Sequence, residues 1–418
     1  MVFVKSVDAS DLVKDAKTLF TLFCEVIEWV GPKNIVHVVT DNAANYVACG
    51  RLIKESIKYL LSPCAAHCLN LVLKDFSSMP HVSDLASKAS KITIFAYNHM
   101  VFLSWLRKRS SWKEIVRPGA TRFATTFITL HSIYMHKNDL QALVVDKHFV
   151  DHKLSRTEAG KIFSALILDN RFWNDCYQVV KIVSPLIKLL RIVDSDEKPS
   201  LPYVYEGMRR AKVAIKEMFK RNKELYKPYT SIIQARWDRH LKTNLHATSY
   251  LLNSTIIYDP DCPSKSKLMM ALIDVESYSD EDVDGFLWTY YGCSVPELQR
   301  VAMRILSQTS ASSGCERNWS LFERIHTKRR NRLEHKRLND LVFTNYNLRL
   351  KHKSTLKKKK SYDPIDYENI DMVDFWVAEE DPTPEFDDRD VATLESVINN
   401  ESIANSTTLE RDNEDLYI

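Results

Sequence analysis

Residues Asn34-Ile-Val-His-Val-Val-Thr40 form a short β-branched run that ends on Asp41-Asn42. A run of this kind, bounded by turn signals, fits a buried strand. Just before it, Ala16, Leu19, Phe20, Phe23, Ile27 and Val30 lie on one face of a helix expected over 11–30, stopped by Gly31-Pro32. Earlier still, Val2-Phe-Val-Lys-Ser-Val7 has strand composition. After Asp41, another helix follows through Tyr46, Val47 and Leu52. Strand–helix–strand order at this spacing predicts a βαβ unit in a parallel sheet. Asp41 then stands at the carboxyl end of a central strand, where open α/β sheets hold their ligands. The competing role is local: Asp41 or Asn42 can N-cap the next helix, and local sequence favours that role.

From Pro80 to about Trp288 the apolar spacing is helical almost throughout. Trp173, Val180, Val183, Leu186 and Leu190 predict a buried helix over Phe172 to Val193. Pro199 to Pro202 reads as a linker, and Arg236-Trp237 as the start of a helix reaching Leu252-Asn253. Asp274 to Gly285 reads as an acidic loop. Ser294-Val-Pro-Glu297 has capping-box spacing ahead of a helix with Leu298, Val301, Ile305 and Leu306 on one face. A last helix is expected from about Arg337, with Leu338, Leu341, Val342, Asn345 and Leu348 to one side.

The chain has 418 residues, room for two or three domains, and 45% hydrophobic content fits a substantial core. Net charge is only +4, but Arg317 to Lys360 is dense in Lys and Arg, whereas Asp363 to the end is acidic and reads as a disordered tail. That asymmetry points to a nucleic-acid-facing surface. Eight cysteines are too sparse for a disulfide scaffold and fit a reducing compartment. No apolar run has membrane-spanning length, so no membrane partner is expected. The nucleus is the expected location, with the cytoplasm as the alternative. Lys328-Arg-Arg-Asn-Arg332 and Lys357 to Lys360 suit import patches or a solvated cationic face equally well.

Two further stretches carry chemistry-bearing residues. In Ser62-Pro-Cys-Ala-Ala-His-Cys-Leu-Asn70, Cys64 and His67 have metal-like spacing, but no second pair completes a four-ligand zinc site. Their expected role is to brace a helix turn beside the sheet. In Ser310-Ala-Ser-Ser-Gly-Cys-Glu-Arg-Asn-Trp-Ser-Leu-Phe322, a small flexible segment leads into a helix. Ser313 and Glu316 have capping-box spacing. Trp319, Phe322 and Ile325 share a helical face, for which burial is the expected role. The functional alternative makes Glu316 a metal-ligating carboxylate on a rigid helix.

Three motifs resemble, in order and spacing, the plant branch of the hAT superfamily of cut-and-paste DNA transposases. They are Thr40-Asp-Asn-Ala-Ala-Asn-Tyr46, Pro63-Cys-Ala-Ala-His-Cys-Leu-Asn70 and Ser313-Gly-Cys-Glu-Arg-Asn-Trp-Ser320. Arg236-Trp237, Trp288-Thr-Tyr-Tyr-Gly292 and Lys328-Arg-Arg-Asn-Arg-Leu333 add to the likeness, which spans roughly residues 1–352. It implies an α/β fold: an incomplete RNase H-like core, interrupted by a large all-helical insertion and closed by a C-terminal helical dimerisation segment. The implied divisions are 1–78 for the first part of the core, 79–287 for the insertion, 288–352 for dimerisation, and 353–418 for a basic run and acidic tail.

Such enzymes use three acids to hold two divalent ions, and Mg²⁺ suits carboxylates. By motif match Asp41 is the second acid and Glu316 the third, both remnant metal ligands here. Arg122-Phe123 resembles the family's Arg-Trp element, whose ring stacks on an extruded base. Arg122, Phe123, Arg317, Lys328, Arg329, Arg330 and Arg332 are the DNA-binding candidates, and Cys64, His67 and Trp319 the structural ones. The first acid would lie on the strand before the one this sequence opens with, and Asp8, Asp11 and Asp15 all follow that strand. The family's zinc-binding BED finger is likewise not in this sequence.

The resulting expectation is an N-terminally truncated, transposase-derived protein without cleavage activity or cofactor. It would act through dimerisation, as a homodimer or with related hAT-type chains, and through DNA. The alternatives are an Mg²⁺-dependent transposase or nuclease whose N-terminus extends beyond this sequence, and a non-catalytic DNA-binding regulator.

Overall fold

The computed structural model describes residues 3–7, 9, 11–57, 60–116, 123–194, 199–253, 296–325 and 334–357. Helix α1 (Ala16–Val30) starts later than the expected 11–30 because Asp15 caps it, accepting the Thr18 N–H at 2.8 Å. Then come β1 (His37–Thr40), α2 (Ala44–Ile57) and β2 (Leu60–Pro63). The two strands pair in parallel, from His37 opposite Leu60 to Thr40 opposite Pro63. Helix α2 lies close on β2: a Cβ on Gly50 would fall 2.7 Å from a Leu61 methyl.

The βαβ unit is therefore β1–α2–β2, one step later than an arrangement beginning with residues 2–7. Among the described residues the sheet has two strands. The chain is mostly helical with a small parallel sheet, which is coarser than the α/β core expected from the motifs.

Helices α3 (Ala65–Ser77), α4 (Pro80–Asn98), α5 (Met100–Arg107), α6 (Ala124–Met135), α7 (Lys137–Val145), α8 (Lys147–Val150) and α9 (Glu158–Leu168) follow. Next are α10 (Asn170–Asp194), α11 (Leu201–Met218), α12 (Lys223–Arg236) and α13 (Asn244–Leu252). The last described helices are α14 (Pro296–Leu306), α15 (Ser313–Ile325) and α16 (His335–Lys357). The expected acidic loop 274–285, Ser294 and the tail from 358 onward lie outside the described residues.

Helix α10 is the axis of the main core. It buries Trp173, Val183, Leu186 and Leu190, with Val180 partly buried. The Trp173 indole, taken fully out of water, donates to the Ile167 carbonyl at 2.7 Å, so its one polar group is satisfied. Helix α11 packs closely along α10, where a Cβ on Gly207 would sit 2.3 Å from a Leu189 methyl.

Two connections differ from the sequence reading. Pro202 lies in the first turn of α11, where a missing N–H costs nothing, so 199–202 is a helix start rather than a linker. Arg236-Trp237 closes a helix instead of opening one, because Asn222 already caps α12 by accepting the Glu224 N–H. A π-helical turn, Trp237–Leu241, follows. The Arg236 guanidinium grips Asp75 of α3 through two bonds of 2.7 and 2.9 Å.

Residues 3–7 have strand composition but no strand partner among the described residues. They run along α16. Phe3 donates its N–H to the Asn347 side chain, whose amide returns a bond to the Phe3 carbonyl, both at 3.1 Å. Ser6 donates to Asn339 at 2.7 Å, and the Phe3 ring meets Phe343 and Tyr346 edge-on. The side-chain amide thus replaces a neighbouring strand as partner for the backbone. Phe3 also packs on a small cluster of Ile325, Leu338, Leu341 and Val342 between α15 and α16. Helix α14 joins a different cluster, where Ala302 and Ile305 meet Leu201, Tyr250 and Leu252.

The α11–α12 turn closes with Lys220 N–H on the Glu217 carbonyl and Arg221 N–H on the Lys216 carbonyl. This helix-ending pattern normally places glycine in the left-handed position. Here Lys220 and Arg221 both take positive φ, 48° and 60°. Substituting Lys220→Gly is expected to stabilise the protein by about 1 kcal/mol. Chemical denaturation measures it, and a lower midpoint would contradict the strain assigned to this turn.

Candidate functional site at the carboxyl end of the sheet

Three chain segments meet where the strands end. The Thr40 carbonyl, last in β1, accepts the Cys64 N–H at 2.7 Å as β2 passes into α3. Cys64 is the N-cap of α3, and its buried sulfur accepts the backbone N–H of His67 at 3.4 Å. It also accepts the Ser312 N–H at 3.3 Å. The next residue, Ala65, donates its N–H to the Ser310 carbonyl at 2.8 Å. Residues 308–312 thus cross the end of the sheet immediately before α15 begins.

On its other side the same segment is held by α11. The Ser200 hydroxyl lies 2.8 Å from that of Ser310 and accepts the Ser310 N–H at 3.0 Å; both serines are fully buried. Leu201 N–H reaches the Gln308 carbonyl at 3.2 Å. This serine pair was not legible in the sequence: 110 positions separate the partners, and nothing local to Ser310 indicates which segment it meets.

The Cys64-x-x-His67 spacing is that of an N-cap and the third helical residue. The sulfur meets the His67 backbone, which explains the pairing without a metal. Cys68 is also buried, its sulfur accepting the Asn42 side-chain N–H at 3.0 Å, and burial pushes its thiol up to about 12. It stays protonated at neutral pH.

The two candidate acids lie at this end of the sheet. Asp41 follows β1 directly and is half-buried, with one carboxylate oxygen accepting the Ala43 N–H at 2.9 Å ahead of α2. Glu316 is exposed in the first turn of α15. That helix includes Ser313 itself, so the expected capping position falls one residue earlier, at Ser312. Tyr46 of α2 senses both neighbourhoods. Burial raises its phenol above the ordinary value, and the nearby Asp41 and Cys315 add to the rise.

The basic candidates are dispersed. Arg317 donates to the Asp194 carbonyl at 3.0 Å and lies 3.7 Å from its carboxylate, which ties α15 to the C-terminus of α10. Phe123 packs on the main core with the Lys74 ammonium 5.2 Å above its ring, towards the far end of α3 from Cys64. Arg122, Lys328, Arg329, Arg330 and Arg332 lie outside the described residues, as does the side chain of Trp319. Of the expected α15 face, Ile325 is buried and Phe322 half-buried. Among the described residues no group of three or more His, Cys, Asp or Glu side chains could hold a metal ion.

Beneath this end, both ring nitrogens of His37, in β1, are sealed from solvent, and His246 of α13 is fully buried. Burial lowers His37 to about 4, countered in part by Gln308 and the Thr309 backbone beside the ring. Burial lowers His246 to about 3, with His37 adding to the effect. Thr243 pairs with one His246 ring nitrogen at 2.6 Å. Both histidines fold neutral, whereas the unfolded chain takes up protons near pH 6.5. Stability is therefore full above pH 6.5 and falls as pH drops, by up to about 1.4 kcal/mol per unit for each histidine. Both contribute down to about pH 4, and His246 alone to about 3. Urea midpoints across pH 7 to 4 are expected to fall steeply in the parent and less in His246→Phe. Equal slopes would refute the assignment.

No helix of the described residues is long and apolar enough to cross a membrane. A comparison with curated proteins finds no match. Two family models do match. The domain of unknown function DUF659 covers residues 1–92, which contain the whole βαβ unit, Asp41, Cys64 and His67. The hAT family C-terminal dimerisation region covers residues 274–348, which contain α14, α15 with Glu316, and the first half of α16. These two matches, at the segments that meet around Cys64, support an hAT-family transposase-derived protein.

Proposed function

We propose that this protein works by associating with like chains and with DNA, and that its nuclease chemistry is lost. The observation carrying the second half is the donor set at the sheet end. Asp41 and Glu316 lie there without a third metal-binding partner among the described residues, and one Asp41 oxygen is already engaged by Ala43. Two ions held roughly 4 Å apart need more bridging carboxylate than that. These residues do not fit a two-Mg²⁺ centre, so no catalytic step is assigned to them.

The dimerisation match supports association. Within it, Met303, Phe343 and Leu348 are large apolar side chains left exposed. Phe343 and Leu348 both lie on α16: Leu348 is two turns beyond the buried Leu341 on the same face, and Phe343 is turned to another side, beside Phe3. Our reading places an isologous homodimer, or pairing with a related hAT-type chain, on this helix. It treats β1–α2–β2 as the remnant of an RNase H-like core and α4 to α13 as the helical insertion. The division at 1–78, 79–287, 288–352 and 353–418 and the nuclear location belong to the same proposal. The basic run between α15 and α16 and the exposed cations of the helical layer suit a DNA partner.

Two measurements test this. Purified protein with Mg²⁺ or Mn²⁺ should leave a DNA duplex uncut; cleavage that disappears in Glu316→Gln would overturn the loss of chemistry. Sedimentation should show a dimer in the parent. It should show at least tenfold weaker association in F343D/L348D with unchanged helicity, since each apolar side chain is worth roughly 1.5–3 kcal/mol when buried. A monomeric parent would sink the association.

A further inference from the structure

We propose that the tip of the α11–α12 hairpin binds the phosphodiester backbone of duplex DNA. This rests on the DNA-binding part of the reading above and names a surface that none of the sequence motifs marked. Between Lys216 and Lys227 there are five cations, Lys216, Lys220, Arg221, Lys223 and Lys227, against two acids, Glu217 and Glu224. All five cations are exposed.

Three neighbouring arginines are neutralised: Arg209 and Arg210 close on the buried Glu206 at 2.8 and 2.6 Å, and Arg236 grips Asp75. Lys212 is held by the Gln234 side chain at 2.9 Å. At the tip, the side chains of Lys220, Arg221, Lys223 and Lys227 have no acid partner among the described residues. Lys216 lies 5.8 Å over the Tyr226 ring, which holds that side chain at the tip.

The backbone adds an independent observation. Lys220 and Arg221 occupy consecutive left-handed positions, which glycine or asparagine would take at less cost. Strain held at charged side chains points to a use for their charge. Two adjacent cations forced outwards at a turn, with Lys223 and Lys227 one helical turn apart beside them, present a compact positive ridge. A run of phosphates is the ligand such a ridge neutralises, with release of counterions and no base readout.

The test uses the whole chain and a labelled duplex of arbitrary sequence, followed by anisotropy across a salt series. The tip variant K220G/R221N/K223Q/K227Q should bind at least tenfold more weakly at low salt. Its log K against log salt slope should be shallower by about three. The variant K147Q/K153Q/R156Q/K161Q removes as many exposed cations from the α8–α9 region and should lose less than threefold. K220G/R221N alone should melt no lower than the parent, which separates lost binding from lost folding. Parent-like affinity in the tip variant, or equal loss in both quadruple variants, overturns the site. A parent that binds no duplex overturns it together with the DNA-binding reading. Tighter binding of single-stranded RNA than of duplex overturns the choice of ligand.

Discussion

The end of a two-stranded sheet exposes backbone groups that must find partners once helices cover them. Here the Cys64 and Ala65 N–H groups are satisfied by Thr40 and Ser310, while the Cys64 sulfur collects two further N–H groups, from His67 and Ser312. A buried donor left without a partner costs about 1–3 kcal/mol. The crossing segment is therefore part of the sheet's support and not a loop laid over it. Residues 248 positions apart, Cys64 and Ser312, are joined at this point. Ser200 closes the other side, so the start of α11 is fixed to the same junction.

This junction gives the two matched family regions their relation. Asp41 leaves β1 one residue after the bonded Thr40, and Glu316 stands in α15 four residues after the bonded Ser312. The same packing commits nearby groups to structure. Asp41 lends an oxygen to the turn before α2, Cys68 is held as a protonated thiol, and Arg317 is drawn to the C-terminus of α10. What is left open around Glu316 is a helix start with one exposed acid. Two exposed apolar side chains of the same matched region, Phe343 and Leu348, lie further on, along α16.

Charge is distributed on the same logic. Several buried or half-buried ions are paired, as with Glu206 between two arginines, Asp75 with Arg236, and Asp139 with Arg109 and Ser111. The neutral histidines beneath the sheet are the cost of sealing that region from water. Unpaired cations gather instead at the end of the α11–α12 hairpin, where solvent screens them until a polyanion displaces the counterions.

Periodicity alone located β1, the long α10, and the apolar faces of α14 and α16, because a regular element writes its burial into residue spacing. The motif order pointed to the hAT resemblance, and with it to the two acids to watch. What spacing could not carry was partnership. Val2 to Val7 has strand composition, but a strand needs a neighbour, and residues 3–7 instead take side-chain amides from α16. Arg236-Trp237 marks a helix end because of a cap fourteen residues upstream at Asn222. Cys-x-x-His could be read locally as the brace of a helix turn, but its spacing could not show that the same sulfur also takes the Ser312 N–H from the far end of the chain. Local preferences are written residue by residue, whereas the satisfaction of a buried polar group depends on which distant segment reaches it, and only the folded chain decides that.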